Sequence, residues 1–577
     1  MTSGKGMIIM ARNVAIGIQN FEEIIKGNCF YIDKTNFIKE WWDSKDSVTL
    51  ITRPRRFGKT LNMSMIEQFF SVNYAERGDL FERFSIWEYE EYRQIQGTYP
   101  VISLSFANIK EDSFSTTKEK ICRLIQTVFM DCEYLLDSEA LSSDEKEIMI
   151  RMKKGMNDAE ATLALHYLSK FLNKHHGKKA IILLDEYDTP MQEAYVNGYW
   201  DELVSFTRSL FNSTFKTNPY LERGLMTGIT RVSKESIFSD LNNLKVVTTT
   251  SDEYATSFGF TEEEVFAALD ECGLGDHKNG VKAWYDGFIF GKHSDIYNPW
   301  SVLNFLDTNG AYDTYWANTS GNRLVGKLLQ EGNKRIKLSF EALLNGEMIS
   351  SPIEEQIVYN QLGDNEMAIW SLLLASGYLK VIEYEKLNEI PIGRKPNYKL
   401  MLTNGEVRRM FYSMVHDWFM ETESDYNDFV LAMFCNDIEE MNAYMNKVTR
   451  TMFSYFDTGR NAEEAEPERF YHGFVLGLMA ELSGEYVVTS NRESGFGRYD
   501  VMLEPCDKSK KAYILEFKVH KPKREKTMEE TVENALKQIE EKQYEADLIV
   551  RGIPKENIFK YGFAFKGKEV LIGNGME

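Results

Sequence analysis

Ala180-Ile181-Ile182-Leu183-Leu184 runs five apolar residues without a polar interruption, and Asp185 and Glu186 follow at once. A strand with one wet face alternates polar and apolar side chains. A continuous apolar run must be covered on both faces, as in the centre of a parallel sheet. Val48-Thr49-Leu50-Ile51 is a second short β-rich run, Val101 to Phe106, entered from Pro100, a third, and Leu225 to Ile229 a fourth. Between them, Leu61 to Phe70 reads as a buried helix, and Leu165, Leu168 and Leu172 recur at helical spacing. Strands alternating with helices predict an α/β fold, a parallel sheet with helices on both faces.

The turn after the Val48–Ile51 strand reads Arg53-Pro54-Arg55-Arg56-Phe57-Gly58-Lys59-Thr60. Its end matches the phosphate-loop pattern GxxxxGK[ST], with Arg53 where the first glycine belongs and Pro54 unable to donate an N–H. Backbone amides at a helix N-terminus suit phosphate. Arg56, Phe57, Gly58, Lys59 and Thr60 are therefore candidate nucleotide-binding residues. Lys59 would reach the β- and γ-phosphates and Thr60 would hold Mg²⁺. At the end of the Ala180–Leu184 strand, Asp185 is a candidate Mg²⁺ ligand and Glu186 a candidate for orienting the attacking water. Thr227 and Thr230, at the end of the Leu225–Ile229 strand, are both candidates for contact with the γ-phosphate or that water. Arg231 reads as an ordinary surface arginine.

A second constellation lies near the C-terminus. Asp500 falls close to the start of a strand expected at Tyr499 to Leu503, and Glu516 and Lys518 lie two apart on a strand expected at Tyr513 to Phe517. Residues two apart share a strand face. A hairpin would bring Asp500, Glu516 and Lys518 together, and two carboxylates with a lysine are what metal-assisted phosphodiester hydrolysis needs. A third strand is expected at Tyr486 to Val488, with helices at Phe474 to Leu482 and Met528 to Tyr544. Between Lys508 and Lys526 lie Lys508, Lys510, Lys511, Lys518, Lys521, Lys523, Arg524 and Lys526, against only Glu516 and Glu525. Such a strip could engage phosphates or simply be a solvated loop. His472 reads as a capping or packing residue.

Tyr31-Ile32-Asp33-Lys34-Thr35, the Arg53–Thr60 loop, Leu184-Asp185-Glu186-Tyr187-Asp188, Gly228-Ile229-Thr230-Arg231, Trp284-Tyr285-Asp286-Gly287-Phe288 and Tyr297-Asn298-Pro299-Trp300-Ser301 together resemble the AAA-ATPase-like family. The resemblance runs from about Ala15 to Leu306 and implies ATP and Mg²⁺ as ligands. From about Tyr471 to Ile572 the chain resembles the PD-(D/E)xK nuclease superfamily. Asp500, Glu516 and Lys518 match its core positions, and Gln538 matches the accessory glutamine of the following helix. A further acid would come from Glu493 or Glu481. Tyr499 stands where the literal motif has proline.

The 577 residues are too many for one core. The expected division is a P-loop domain over 1–250, a helical lid over 251–330, a helical connector over 331–460 and a small α/β nuclease-type domain over 461–577, with the acidic stretch Glu463 to Glu468 as linker. No signal peptide or membrane-spanning run is expected. Six cysteines without CxxC pairs read as reduced thiols of a cytoplasmic protein. A net charge of −21 argues against polyanion binding by the surface as a whole, though not at a local basic site. The expected function is an ATP-binding or ATP-hydrolysing module coupled to a Mg²⁺-dependent nuclease acting on DNA or RNA. The alternative is an ATP-switched signalling or scaffold protein whose nuclease-like domain binds a partner without cutting. Helicase motifs of a DNA-dependent motor are absent. The sequence leaves the nucleic acid and the oligomeric state, a homo-oligomer included, open.

Overall fold

The structure is a computed structural model, and it describes residues 13–231, 238, 241–316, 322–331, 334–354, 362, 365–420, 426–453, 482, 485–490, 493–494, 497–498, 500–522, 524–566 and 569–575. The helix expected at Phe474 to Leu482 (all but its last residue), the acidic linker, Glu481, His472, Lys523 and Tyr499 lie outside them. The chain divides into two compact units, one of Met1–Val325 with Met348–Arg408, the other of Gly326–Glu347 with Arg409–Glu577.

In the first unit, β1 (Val48–Thr52), β2 (Val101–Ser105), β3 (Ala180–Asp185), β4 (Leu221–Gly228) and β5 (Leu244–Val247) form one sheet in the order β2-β3-β4-β1-β5. Every pairing in it is parallel. All residues of β1 and β3 are buried, as the uninterrupted apolar run of β3 requires. The helix Lys59–Phe70 packs Met65, Ile66, Phe69 and Phe70 into a core that includes Ile51, Ile181, Leu183 and Leu225. The strand carrying the phosphate-loop sequence and the strand carrying the acids are separated by β4. Their carboxyl ends nonetheless open on the same edge of the sheet, where ligands bind in open α/β folds.

Beyond β5 the unit adds a small sheet of β6 (Phe260–Thr261), β7 (Phe288–Phe290) and β8 (His293–Tyr297), in the order β6-β8-β7. A further antiparallel sheet is made by β9 (Ile349–Pro352), β10 (Leu379–Tyr384) and β11 (Asn397–Leu402). The stretches expected to be helical therefore also contain sheet. β10 and β11 are short and partly exposed, and their patterns, Leu-Lys-Val-Ile-Glu-Tyr and Asn-Tyr-Lys-Leu-Met-Leu, give a weak period-two signal.

In the second unit, β12 (Tyr486–Ser490), β15 (Val501–Pro505), β16 (Ala512–Val519), β17 (Ile558–Lys566) and β18 (Glu569–Asn574) form a mixed sheet in that order, beside a two-residue pair, β13 (Glu493–Ser494) and β14 (Gly497–Arg498). The β15–β16 and β12–β15 pairs are antiparallel and β16–β17 is parallel, its crossover carrying the helix Met528–Glu541. One face of the sheet packs Phe517, Phe563 and Phe565 against Met433, Met441 and Met445 of the helices Tyr426–Cys435 and Ile438–Phe453. The helix Ile438–Phe453 also covers the open edge of β18. Asn442 exchanges two hydrogen bonds with the backbone of Ile572, at 2.9 and 2.8 Å, and Asn446 two with Val570, at 2.7 and 3.0 Å.

Candidate functional site

At the carboxyl edge of the first sheet, Arg56 and Gly58 both take left-handed backbone angles, φ 64° and 78°. Such turns point successive amides into one concavity, the geometry that receives phosphate oxygens. A side chain at Gly58 would meet nothing within 4 Å, so glycine is needed there for backbone angle, not for room. Lys59 is buried, its ammonium 3.2 and 3.1 Å from the carbonyl oxygens of Arg53 and Pro54 and 3.3 Å from Glu186.

Asp185 joins three elements. Thr60 donates to one of its carboxylate oxygens at 2.6 Å, and Thr227 donates to the other. Burial raises its pKa, with Glu186 adding to the rise and the two hydroxyls and Lys59 opposing it. Thr60 and Asp185 present hard oxygen donors that fit a divalent cation. Of the two candidate threonines, Thr227 faces Asp185, whereas the Thr230 hydroxyl donates to Asp188 at 2.7 Å.

Asp188 is a site-building residue that the sequence reading passed over. Fully buried, it also accepts the amides of Ile229 at 3.1 Å and Thr230 at 2.8 Å, fixing the chain where it leaves β4. A Cβ at Gly228 would come within 2.6 Å of Asp188 Oδ1, so the glycine of Gly-Ile-Thr-Arg lets the carboxylate approach. That glycine, with an aspartate two residues beyond Asp-Glu, was the available signal.

Arg53, read as a departure in a phosphate-binding loop, points away from the loop's open side. Its guanidinium is fully buried and donates to the carbonyls of Thr52, Thr248, Glu253 and Tyr254 at 2.9, 2.7, 3.2 and 3.4 Å, with the Phe290 ring 4.6 Å away. Burial lowers its pKa to about 9. The Phe57 ring is buried edge-on to Phe288 and Phe290, leaving only its backbone toward the loop. Arg56 is exposed and stacks 4.2 Å over Trp300, while the Arg55 carbonyl is held by Trp316 Nε1 at 2.9 Å.

In the second unit the expected residues converge. Val501 pairs with Leu515, and continuing that register by one residue sets Asp500 opposite Glu516. Asp500 Oδ2 accepts the Phe517 amide at 2.8 Å. Glu516 is 3% exposed, and Lys518 on the same strand face is half-buried. Gln538, from the helix Met528–Glu541, links them. Its oxygen accepts Lys518 Nζ at 2.6 Å, and its NH₂ donates to Glu516 Oε1 and, at 3.1 Å, to the buried Tyr544 hydroxyl. Burial raises the Tyr544 pKa, so the hydroxyl stays protonated. Paired carboxylates with an amide and a lysine on one face form an oxygen-rich donor set that fits a hard divalent cation. Glu493 lies in β13, opposite Arg498.

The basic strip does not form one patch. Lys508 and Lys510 are paired with Glu504 and Glu485, and Lys511 donates to the Phe434 carbonyl and lies over Phe559. These three precede β16, and about 23 Å of strand at about 3.3 Å per residue separates Lys511 from Lys518.

Residues 15–238 match the family described as Predicted AAA-ATPase, and residues 466–575 match the PD-(D/E)XK nuclease superfamily. A protein of Azotobacter chroococcum mcd 1, the uncharacterized protein in the vnfD 5′ region, is 24% identical over 401 residues, 69% of this chain and 68% of that relative. Among the described residues, no helix is long and apolar enough to cross a membrane.

Proposed function

We propose that this chain, in which an AAA-ATPase-like region is joined to a PD-(D/E)XK nuclease-type region, binds ATP in its first unit and hydrolyses phosphodiester bonds of nucleic acid in its second. The observation that carries the second half is the Lys518–Gln538–Glu516 chain with Asp500 across the strand pair. Asp500 and Glu516 would hold a divalent ion, which when bound polarises the phosphate and lowers the pKa of an attacking water. Lys518, oriented by Gln538, presents its ammonium to that water or to the charge growing on the phosphate. Gln538 fixes both neighbours at once, because its oxygen is taken by the lysine and its NH₂ by the carboxylate.

In the first unit, the loop amides and Lys59 would take the phosphates, and Thr60 with Asp185 would hold Mg²⁺. Glu186 is the residue nearest Lys59 able to orient water. Lys59 must exchange the carbonyls of Arg53 and Pro54 for phosphate oxygens when nucleotide enters.

The test is a cleavage panel with the full chain, labelled DNA and RNA in single- and double-stranded form, Mg²⁺ or Mn²⁺, with and without ATP. Cleavage should require the metal and disappear in Glu516→Ala and in Lys518→Ala. Cleavage that persists in both variants removes this assignment. A chain that binds ATP and cuts nothing points to the switch or scaffold reading.

A further inference from the structure

β16 ends at Val519, and its pairing with β17 continues through the His520 amide, which donates to the Phe565 carbonyl at 2.9 Å. The chain then turns sharply, the amides of Arg524 and Glu525 reaching the Lys521 carbonyl at 2.8 and 3.0 Å. This turn sorts its charges. Its acid, Glu525, faces inward and is fully engaged. One oxygen accepts the Lys521 amide at 3.1 Å and the Thr531 hydroxyl at 2.7 Å, and the other accepts the Asn534 amide at 2.9 Å. Thr531 is itself 2.9 Å from the buried His520 Nδ1.

Lys521, Arg524 and Lys526 face outward. All three are exposed, and their side chains pair with no carboxylate among the described residues. That separates them from Lys508 and Lys510, which are neutralised by Glu504 and Glu485. Lys521 is three residues past Lys518, within about 10 Å along an extended chain. Glu529 and Glu533, both exposed, follow in the helix Met528–Glu541. A turn with its one acid withdrawn and its described cations uncommitted suits a polyanion that runs past the Glu516–Lys518 face.

We propose that Lys521, Arg524 and Lys526 seat the phosphodiester backbone of the substrate beside the scissile position. This deepens the nuclease reading and rests on it. The three residues would position the strand without selecting its sequence, since phosphate contacts carry register and affinity but no base identity.

The test uses the full chain carrying Glu516→Gln, so that probes stay intact. Fluorescein-labelled duplex DNA, single-stranded DNA and single-stranded RNA are titrated by anisotropy at several salt concentrations. Adding Lys521→Gln, Arg524→Gln and Lys526→Gln together should weaken binding and flatten the plot of log K against log salt. Three lost duplex contacts at about 0.9 each predict a slope smaller by about 2.7, and single strands at about 0.7 each predict about 2. Lys508→Gln with Lys510→Gln should leave the slope unchanged. The proposal falls if the triple variant keeps the parent slope, if the control pair flattens it equally, or if no probe binds. Cleavage by the chain with Glu516 intact is scored in parallel. Cutting with an unaltered slope in the triple variant overturns this proposal and leaves the nuclease reading standing. A flattened slope without any cutting overturns the nuclease reading and, with it, the scissile position, leaving only a nucleic-acid contact at the turn.

Discussion

Lys518 donates to the Gln538 side-chain oxygen at 2.6 Å, and this bond fixes which way the amide faces. With the oxygen committed, the NH₂ must point to Glu516 and Tyr544. Gln538→Ala should therefore lower cleavage by roughly 10–100-fold, the usual cost of losing an outer partner of a metal-site residue. Gln538→Glu should fare no better, because a carboxylate there would satisfy the lysine but repel Glu516. Single-turnover rates at saturating metal check this. Full activity in Gln538→Ala would show that the bridge does not position the site.

Nucleotide binding should depend on Lys59 and Asp185 in different ways. Lys59→Ala should abolish binding of ATP with or without Mg²⁺, because its buried ammonium lies 3.1 Å from the Pro54 carbonyl, inside the loop. Asp185→Asn should spare metal-free binding and lose the gain that Mg²⁺ gives. Calorimetric titration with and without EDTA separates the two. Equal binding by Lys59→Ala and the parent chain would remove the loop assignment.

The two candidate constellations were legible because each is carried by strands whose apolar neighbours leave little choice of conformation. Glu516 and Lys518 had to share a face, and Ala180–Leu184 had to be central. Arg53 was not legible. Its partners Thr248, Glu253 and Tyr254 lie 195 to 201 residues away, and local sequence reports only that a glycine is missing. β5 was missed because only Val247 of its four residues is buried and Lys245 interrupts its apolar run. Whether the basic strip forms one patch was open for a related reason: sequence proximity takes no account of the strand that carries its two ends apart.

Restoring the first glycine of the loop should damage the protein. Arg53→Gly would take one donor from each of four carbonyl oxygens, of which Thr248 and Tyr254 keep the amides of Ser251 and Ser257, and open a cavity between Phe258 and Phe290. The expected loss is about 3 kcal/mol or more, from unsatisfied buried groups plus the void. Urea unfolding followed by tryptophan fluorescence would register it. An unchanged midpoint would mean that the 248–254 segment is held by other contacts.

Asp286 gives a pH-dependent prediction. It gathers with Glu262 and Asp295 within 4.8 Å, and burial pushes its carboxyl up to about 6. An unfolded aspartate titrates near about 3.9. Below that value both states hold the proton, and Asp286 contributes no pH dependence. As pH rises from about 4 to 6 the unfolded chain releases a proton the folded chain keeps, so stability falls, and above 6 the penalty is complete. Asp286→Asn cannot ionise. Its melting temperature relative to the parent should climb between pH 4 and 6 and level off above. A flat difference across that range would mean that Lys282 or Lys380 already compensates the charge.

The edge of β18 offers a test that separates architecture from chemistry. Asn442 and Asn446 each engage both the N–H and the C=O of one β18 residue, so they stand in for a neighbouring strand. Without them, a row of backbone groups on an open edge would meet water or another chain. Asn442→Ala with Asn446→Ala removes four hydrogen bonds. At about 1 kcal/mol apiece, offset in part by hydration, the second unit should lose on the order of 2–4 kcal/mol. The freed edge should also promote self-association that rises with protein concentration, visible by light scattering. Metal-dependent cleavage at low concentration should survive, because neither asparagine contacts Asp500, Glu516, Lys518 or Gln538. Loss of cleavage in a chain that remains folded and monomeric would show that the helix Ile438–Phe453 holds the site together as well as guarding the edge.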